Sequence, residues 1–187
     1  MTRSVDAFIA LGSNLGDRGG HLRGGRAALG QTPGVMLVAA SRVYETEPVG
    51  PRGQGPYLNA VLAVATALSP QDLLARLLAI EIDRGRRRSQ EAERWSARTL
   101  DLDLLLYGDL CLTEEGLEIP HPRLHERAFV LEPLCELAGD RLHPRLETPF
   151  ERLRDELPDA GQVRLWTGAG AAWAPEPVVP HPAGVNT

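Results

Sequence analysis

The stretch that most constrains the fold is TLDLDLLLYG, residues 99–108. Its two-residue period is that of a β-strand, which puts Asp101 and Asp103 on one face and Leu100, Leu102 and Leu104 on the other. A strand so rich in leucine belongs in a core, and a carboxylate held there is costly unless something compensates it. The two acids stand roughly 7 Å apart along the strand. They repel each other unless they are protonated or share cations. Hard oxygen ligands on a rigid strand suit Mg²⁺, which keeps several waters and completes its shell with phosphate oxygens. An edge strand with two solvated acids would carry the same D-x-D pattern, so the pair needs its context.

The segments around it alternate between the periods of strands and helices. Residues 5–11 read as a buried strand. GSNLGD then turns the chain; Asn14 is placed to cap a helix running to about residue 29, with Asp17 favouring its N-terminal end. Gly19, Gly20, Gly24 and Gly25 weaken that helix. VMLVAASRVYET (35–46) is a second strand, TEPVGPRGQGP (46–56) a loop and YLNAVLAVAT (57–66) a third strand. Ser69 and Pro70 open a helix with leucines at helical spacing. After the strand at 99–108, IPHPRLHERAFVLEPLCELAGD (119–140) is a turn running into a helix, and ETPFERLRDEL (147–157) adds a short one. The β-α-β-β-α-β order predicts an α+β, ferredoxin-like sandwich: an antiparallel sheet with helices on one face, and added C-terminal elements. A single domain over 1–157 follows, with a Pro/Gly/Ala-rich tail at 158–187 that reads as extended or partly disordered, and with Trp166 and Trp173 available to dock it.

Charge narrows the function. The net charge of −5 argues against a general nucleic-acid binder. All 20 basic residues are arginine, which excludes a lysine-dependent P-loop, so any phosphate grip must use guanidinium forks. The segment RGRRRSQEAERWSAR (84–98) holds Arg84, Arg86, Arg87, Arg88, Arg94 and Arg98 against Glu91 and Glu93. An arginine-rich loop alone is usually a solvated surface. Next to a strand carrying an acid pair, it has the parts of a polyphosphate–metal site, in which cations neutralise inner oxygens and arginines hold outer ones. Cys111 and Cys135 have no metal or CxxC spacing and read as reduced thiols. No secretory leader or membrane span is legible, so a cytoplasmic protein is expected.

Four segments, ALGSNLGDR, VYETEPVGPRGQGPYLNAV, IEIDRGRRRSQEAERWSARTLDLDLLLYG and IPHPRLHERAFVLEPL, together resemble the 6-hydroxymethyl-7,8-dihydropterin pyrophosphokinase family over about residues 7–137. The combination RW-x-x-RTLDLD followed by IPHP is highly specific. The resemblance implies transfer of pyrophosphate from ATP to the pterin hydroxymethyl oxygen, with release of AMP and two Mg²⁺ ions as cofactors, and a monomer without nucleic-acid or membrane partners is expected. It places Asp101 and Asp103 on the family's metal pair. Arg86, Arg88, Trp95 and Arg98 fall in the catalytic loop, with Gly85 as its hinge, and Arg94, Trp95, Arg98, His121 and Arg127 on the ATP side. Tyr57 and Phe129 match the rings that sandwich the pterin, Thr46 and Asn59 its polar contacts, with Trp95 and the backbone near Val49 completing the pocket. Glu47 stands where proline is common in the family, and Pro122 where some members carry tyrosine. A different two-metal nucleotidyl or phosphoryl transferase on the same fold, or a ligand-binding regulatory domain, are the competing readings. The rival transferase has no reason to combine the Y-x-N pair with HP-x(6)-F, and the regulatory domain needs neither the acid pair nor six arginines in one loop.

Overall fold

The structure, a computed structural model, describes residues 4–47, 54–85, 98–158, 163–168 and 173. The positions Val49, Arg86, Arg88, Arg94 and Trp95 lie outside them.

Strand β1 (Val5–Ser13) lies between β4 (Tyr57–Thr66) on one side and β5 (Asp101–Tyr107) on the other, both antiparallel to it. Beyond β4 lie β2 (Val35–Ala40) and β3 (Tyr44–Thr46), which pair with successive parts of it, and β8 (Val163–Leu165) pairs with β3. Helices α1 (Arg18–Gly30) and α2 (Pro70–Asp83) cover one face through Leu22, Leu29, Leu73, Leu77 and Ile80, packed on Ala7, Ile9, Leu11, Leu102 and Leu104. This is the ferredoxin-like sandwich. The added elements do more than extend it. Helices α3 (Ala128–Ala138) and α4 (Phe150–Asp155) build a second core on the opposite face, from Phe8, Val61, Leu105, Leu106, Leu131, Leu134 and Phe150. The sheet is therefore buried on both sides, which is why β1 and β4 read as almost continuous apolar runs. A short hairpin, β6 (Leu112–Glu114) with β7 (Leu117–Ile119), leads towards α3.

Three local readings change. Asn14 does not cap α1; Asp17 does, its Oδ1 accepting from the Gly20 N–H at 2.8 Å. The glycines of α1 serve packing: a Cβ at Gly25 would come within 2.9 Å of Leu100 Cδ2, so the helix can sit close on the sheet only with no side chain there. The 35–46 strand is broken at 41–43. There the Ser41 hydroxyl replaces a strand carbonyl by accepting from the Val61 N–H at 2.9 Å, while Glu136 of α3 accepts from the Arg42 N–H and Nε, each at 2.8 Å, and from the Tyr44 hydroxyl. Burial and this carboxylate hold the Tyr44 phenol up at about 12.

Beyond residue 158 the described segments lie on the domain. The Trp166 N–H donates to the Val43 carbonyl at 2.9 Å, continuing the β8–β3 ladder. Trp173 is buried in the first core, its indole N–H donating to the Ser41 carbonyl at 2.9 Å and the Arg26 guanidinium lying 5.4 Å from its ring. Replacing Trp173 with alanine is expected to cost about 3 kcal/mol of stability. Urea denaturation should show it as a lower midpoint at unchanged slope; an unshifted midpoint would show that Trp173 adds nothing to the core.

Candidate active site

The site is built from alternation on three adjacent strands. On β1 the residues facing α3 are Phe8, Ala10 and Gly12; in register across from Gly12 stand Asn59 of β4 on one side and Asp101 of β5 on the other. A Cβ added at Gly12 would be 3.7 Å from both Asn59 Oδ1 and Asp101 Cβ. A glycine inside a strand often marks a close approach of a ligand or a backbone, and here it leaves a gap floored by backbone and walled by an amide and a carboxylate. Asn59 is buried and oriented: its Nδ2 donates to Thr46 Oγ1 at 2.9 Å, which leaves Oδ1 facing the gap. Thr46 is the register partner of Tyr57, so Thr46, Tyr57 and Asn59 form one patch at the head of β3 and β4.

On the other side of the gap are the acids. The alternation read in the sequence holds from Leu100 to Leu104: the leucines enter the α1–α2 core and the aspartates face α3. It then breaks. Ile9 pairs with Leu104 and Phe8 with Leu106, so Leu105 is an extra residue in β5, a bulge that turns both Leu105 and Leu106 into the second core. The Leu105 carbonyl accepts from the His121 N–H at 2.9 Å. The bulge thereby ties the His-Pro turn to the strand that carries the acids.

Arg98 Nη1 lies 2.6 Å from Asp101 Oδ2. Arg127, at the start of α3, holds Nη1 at 4.0 Å from Asp103 Oδ2, with its guanidinium 5.7 Å from the Phe129 ring. Burial, then the Asp101 charge, pushes the Asp103 carboxyl up to about 6. Its side chain is still 40% exposed, so solvent screens much of that cost. Burial, then Arg127, pushes His121 down to about 4. Its Nδ1 accepts from the Arg123 N–H at 3.2 Å, which leaves the proton of the neutral ring on Nε2. Phe129 is half-buried against the second core.

The two shifts oppose each other. An unfolded histidine takes its proton near 6.5 and folded His121 only near 4, so its contribution to stability is lost as pH falls through that window. Folded Asp103 takes its proton near 6 and the unfolded residue near 3.8, so stability is regained over much the same range. In chelator-treated protein, Asp103→Asn should therefore make the fall in melting temperature from pH 7 to pH 4.5 steeper than in the wild type; superimposable profiles would contradict the Asp103 shift.

Glu81 and Gly12 escaped the sequence reading. Glu81 is buried on the apolar stripe of α2, and its Oε1 accepts at 2.8 Å from the N–H of Leu102, the residue between the two aspartates. β5 is an edge strand, so this outward amide has no strand to pair with; the carboxylate stands in for one. A charge among the leucines of LLAIEID was the available signal. Gly85 ends α2 with a φ of 87°, a left-handed conformation that suits glycine.

The donor set fits Mg²⁺. Among the described residues no three His, Cys, Asp or Glu side chains gather as a closed cage. Two carboxylates on one strand face would supply only part of an octahedral shell, as expected where substrate phosphates provide the rest.

Comparison with known proteins identifies the family. Residues 8–139 match the family profile of 7,8-dihydro-6-hydroxymethylpterin-pyrophosphokinase. A 2-amino-4-hydroxy-6-hydroxymethyldihydropteridine pyrophosphokinase of Haemophilus influenzae is 44% identical over 161 residues, covering 86% of this chain and 98% of the relative. The enzyme of that name from Pseudomonas aeruginosa is also 44% identical, covering 82% and 97%. The folic acid synthesis protein of Schizosaccharomyces pombe is 36% identical over 89% of this chain, which spans 22% of that longer protein. Among solved structures, wild-type Plasmodium falciparum HPPK-DHPS with pterin and p-hydroxybenzoate superposes with a TM-score of 0.63 at 15% identity; 83% of this chain matches 43% of that one, so the likeness bears on the fold. The chain belongs to the 7,8-dihydro-6-hydroxymethylpterin-pyrophosphokinase family.

Proposed function

We propose that the chain transfers the β,γ-pyrophosphoryl group of ATP to the hydroxymethyl oxygen of 6-hydroxymethyl-7,8-dihydropterin, giving the pterin diphosphate and AMP, a step of folate biosynthesis. The observation that carries the site assignment is the row Asn59–Gly12–Asp101, which sets a polar recess directly beside an acidic strand face. The pterin enters over Gly12. Tyr57 and Phe129 supply aromatic faces for stacking. Asn59, already oriented by Thr46, reads the amide-like edge, with Trp95 and the backbone at Val49 assigned to the same pocket by family likeness.

ATP takes the other half. Asp101 and Asp103 would hold two Mg²⁺ ions, which when bound would neutralise phosphate charge and acidify the attacking hydroxyl. Arg98 and Arg127 begin paired with these acids and are placed to turn towards phosphate oxygens as the charge there is redistributed. Neutral His121 offers its Nε2–H as a donor without adding a charge. Arg86, Arg88 and Arg94 contribute further phosphate contacts in this reading. The hydroxymethyl oxygen attacks the β-phosphorus, the bond to the oxygen bridging to the α-phosphorus breaks, AMP leaves, and the hydroxyl proton passes to solvent. No side chain is positioned as a dedicated general base; the chain acts by orientation and charge placement.

We further assign the reaction to residues 1–157, with 158–187 as a C-terminal tail, and the working form to a cytoplasmic monomer with two reduced cysteines. No helix of the described residues is long and apolar enough to cross a membrane. The deciding assay incubates protein with Mg²⁺, ATP and the hydroxymethyl dihydropterin. AMP and the pterin diphosphate are expected in equal amounts; ADP or free pyrophosphate instead would refute the reading.

A further inference from the structure

The join between β2 and β3 carries a register shift on which the pterin pocket depends. Ala40 of β2 pairs with Leu62 of β4, and Tyr44 of β3 pairs with Asn59. Residues 41, 42 and 43 therefore stand against Ala60 and Val61 alone, so this edge carries one extra residue. Facing alternates along a strand, and an extra residue exchanges the two faces beyond it. Without it Val43 would stand beside Asn59 and Glu45 beside Tyr57. With it Tyr44 and Thr46 take those places, on the face that holds Gly12 and Asp101. The bond that orients the Asn59 amide, from its Nδ2 to Thr46 Oγ1 at 2.9 Å, belongs to this register.

An extra residue disrupts the ladder and leaves backbone groups without strand partners. Two side chains replace those partners here. Ser41 Oγ accepts from the Val61 N–H at 2.9 Å. The Glu136 carboxylate accepts from the Arg42 N–H at Oε2 and from Arg42 Nε at Oε1, each at 2.8 Å, and from the Tyr44 hydroxyl. Glu136 thus joins the extra stretch to the first residue of β3. It does so from a fixed point, because Leu134 and Ala138 on either side of it in α3 are buried in the second core. β3 is only three residues long, so its own ladder bonds to β4 are few. Tyr44 is buried, and its phenol reaches Glu136 from the same sheet face that carries Asn59 and Thr46.

We propose that Glu136 is a positioning residue for the pterin: from α3 it locks the one-residue register shift between β2 and β3, and so keeps Thr46 where it orients Asn59. This rests on the pterin pocket assigned under Proposed function. Glu136 itself touches no substrate in that pocket. Its influence runs through Tyr44 and Thr46 to the Asn59 amide, whose Oδ1 reads the pterin edge. A loosened β3 lets that amide turn, and a pterin that must first fix it binds less tightly. The phosphate side at Asp101 and Asp103 lies beyond β1 and is untouched by this path.

Calorimetry of hydroxymethyl dihydropterin binding, at saturating Mg²⁺ and a non-hydrolysable ATP analogue, tests this through a double-mutant cycle. Glu136→Ala should raise the pterin Kd at least about tenfold, while the Kd of the analogue measured without pterin stays within about twofold of the wild type. In an Asn59→Ala background the same substitution should change the pterin Kd by less than about twofold, because the amide it positions is gone. Tyr44→Phe keeps the ring and the bonds from Arg42 to Glu136 and removes only the link to β3. It should raise the pterin Kd about threefold or more, and it decides the matter alone if Glu136→Ala does not fold. An unchanged pterin Kd in both variants overturns the proposal. So does a parallel weakening of pterin and nucleotide, which would leave Glu136 a purely structural part, or an undiminished effect of Glu136→Ala in the Asn59→Ala background. An Asn59→Ala chain that binds pterin as the wild type does refutes the pocket assignment itself.

Discussion

Asp101→Ala is expected to lower turnover by at least about a thousandfold while the chain stays folded. The loss follows from charge. Removing one of the two carboxylates proposed to hold cations against phosphate would forfeit several kcal/mol of transition-state stabilisation, and about 4 kcal/mol corresponds to a factor of 10³. The small effect on folding follows from two opposing changes. Arg98 loses a partner at 2.6 Å, and Asp103 loses the neighbouring charge that helps to hold its carboxyl up at about 6. The measurement is single-turnover AMP formation at saturating substrates, beside a thermal melt. A melting temperature within a few degrees of the wild type, with turnover gone, supports the metal assignment. A variant that unfolds would make Asp101 a structural acid. Arg98→Ala provides a comparison, since its loss should fall on turnover more than on pterin affinity.

Gly12 provides the second large effect, and it is read from the structure alone. Gly12→Ala should fold normally, because the new Cβ meets Asn59 and Asp101 at 3.7 Å, an ordinary contact. Gly12→Leu fills the recess between them. We expect it to weaken pterin binding and turnover by at least a hundredfold, with alanine intermediate. Leucine also packs a strand surface readily, so the fold should survive, and circular dichroism separates loss of substrate from loss of structure. If Gly12→Leu turns over normally, the pterin does not lie over β1 and the recess is not the binding site.

Much of this architecture was legible beforehand because it depends on period and order. The alternation in residues 99–108 declared a strand with an acidic face and an apolar face. The leucine spacing of α2 and its Ser69 cap, whose hydroxyl accepts from the Asp72 N–H at 3.1 Å, declared a helix with a definite start. The pairing of Thr46 with Tyr57 and the bond from Asn59 to Thr46 bring together residues that family likeness had already grouped. The readings that changed depend on partners remote in sequence. Asn14 has the composition of a cap, and only the arrival of Arg98 and Gln54 makes it a clamp. Gly25 of α1 looks like a weakness until Leu100 is seen to need its space. The break at Ser41 depends on Glu136, 94 residues from Arg42 in the chain. The second helical layer was hidden because an apolar strand looks the same whether one face or both are covered.

By itself the sequence determined the βαββαβ order, the polarity of each strand face and the acid pair with its arginine-rich neighbour, because these follow from local periodicity and side-chain chemistry. The tertiary structure alone decided three things: which residues meet across β4, β1 and β5, that the gap at Gly12 separates the amide wall from the acidic one, and that the Leu105 bulge ties His121 to the strand of the acids. Register and bulges arise from packing one element on another, and that packing energy belongs to pairs of segments that no single stretch of sequence contains.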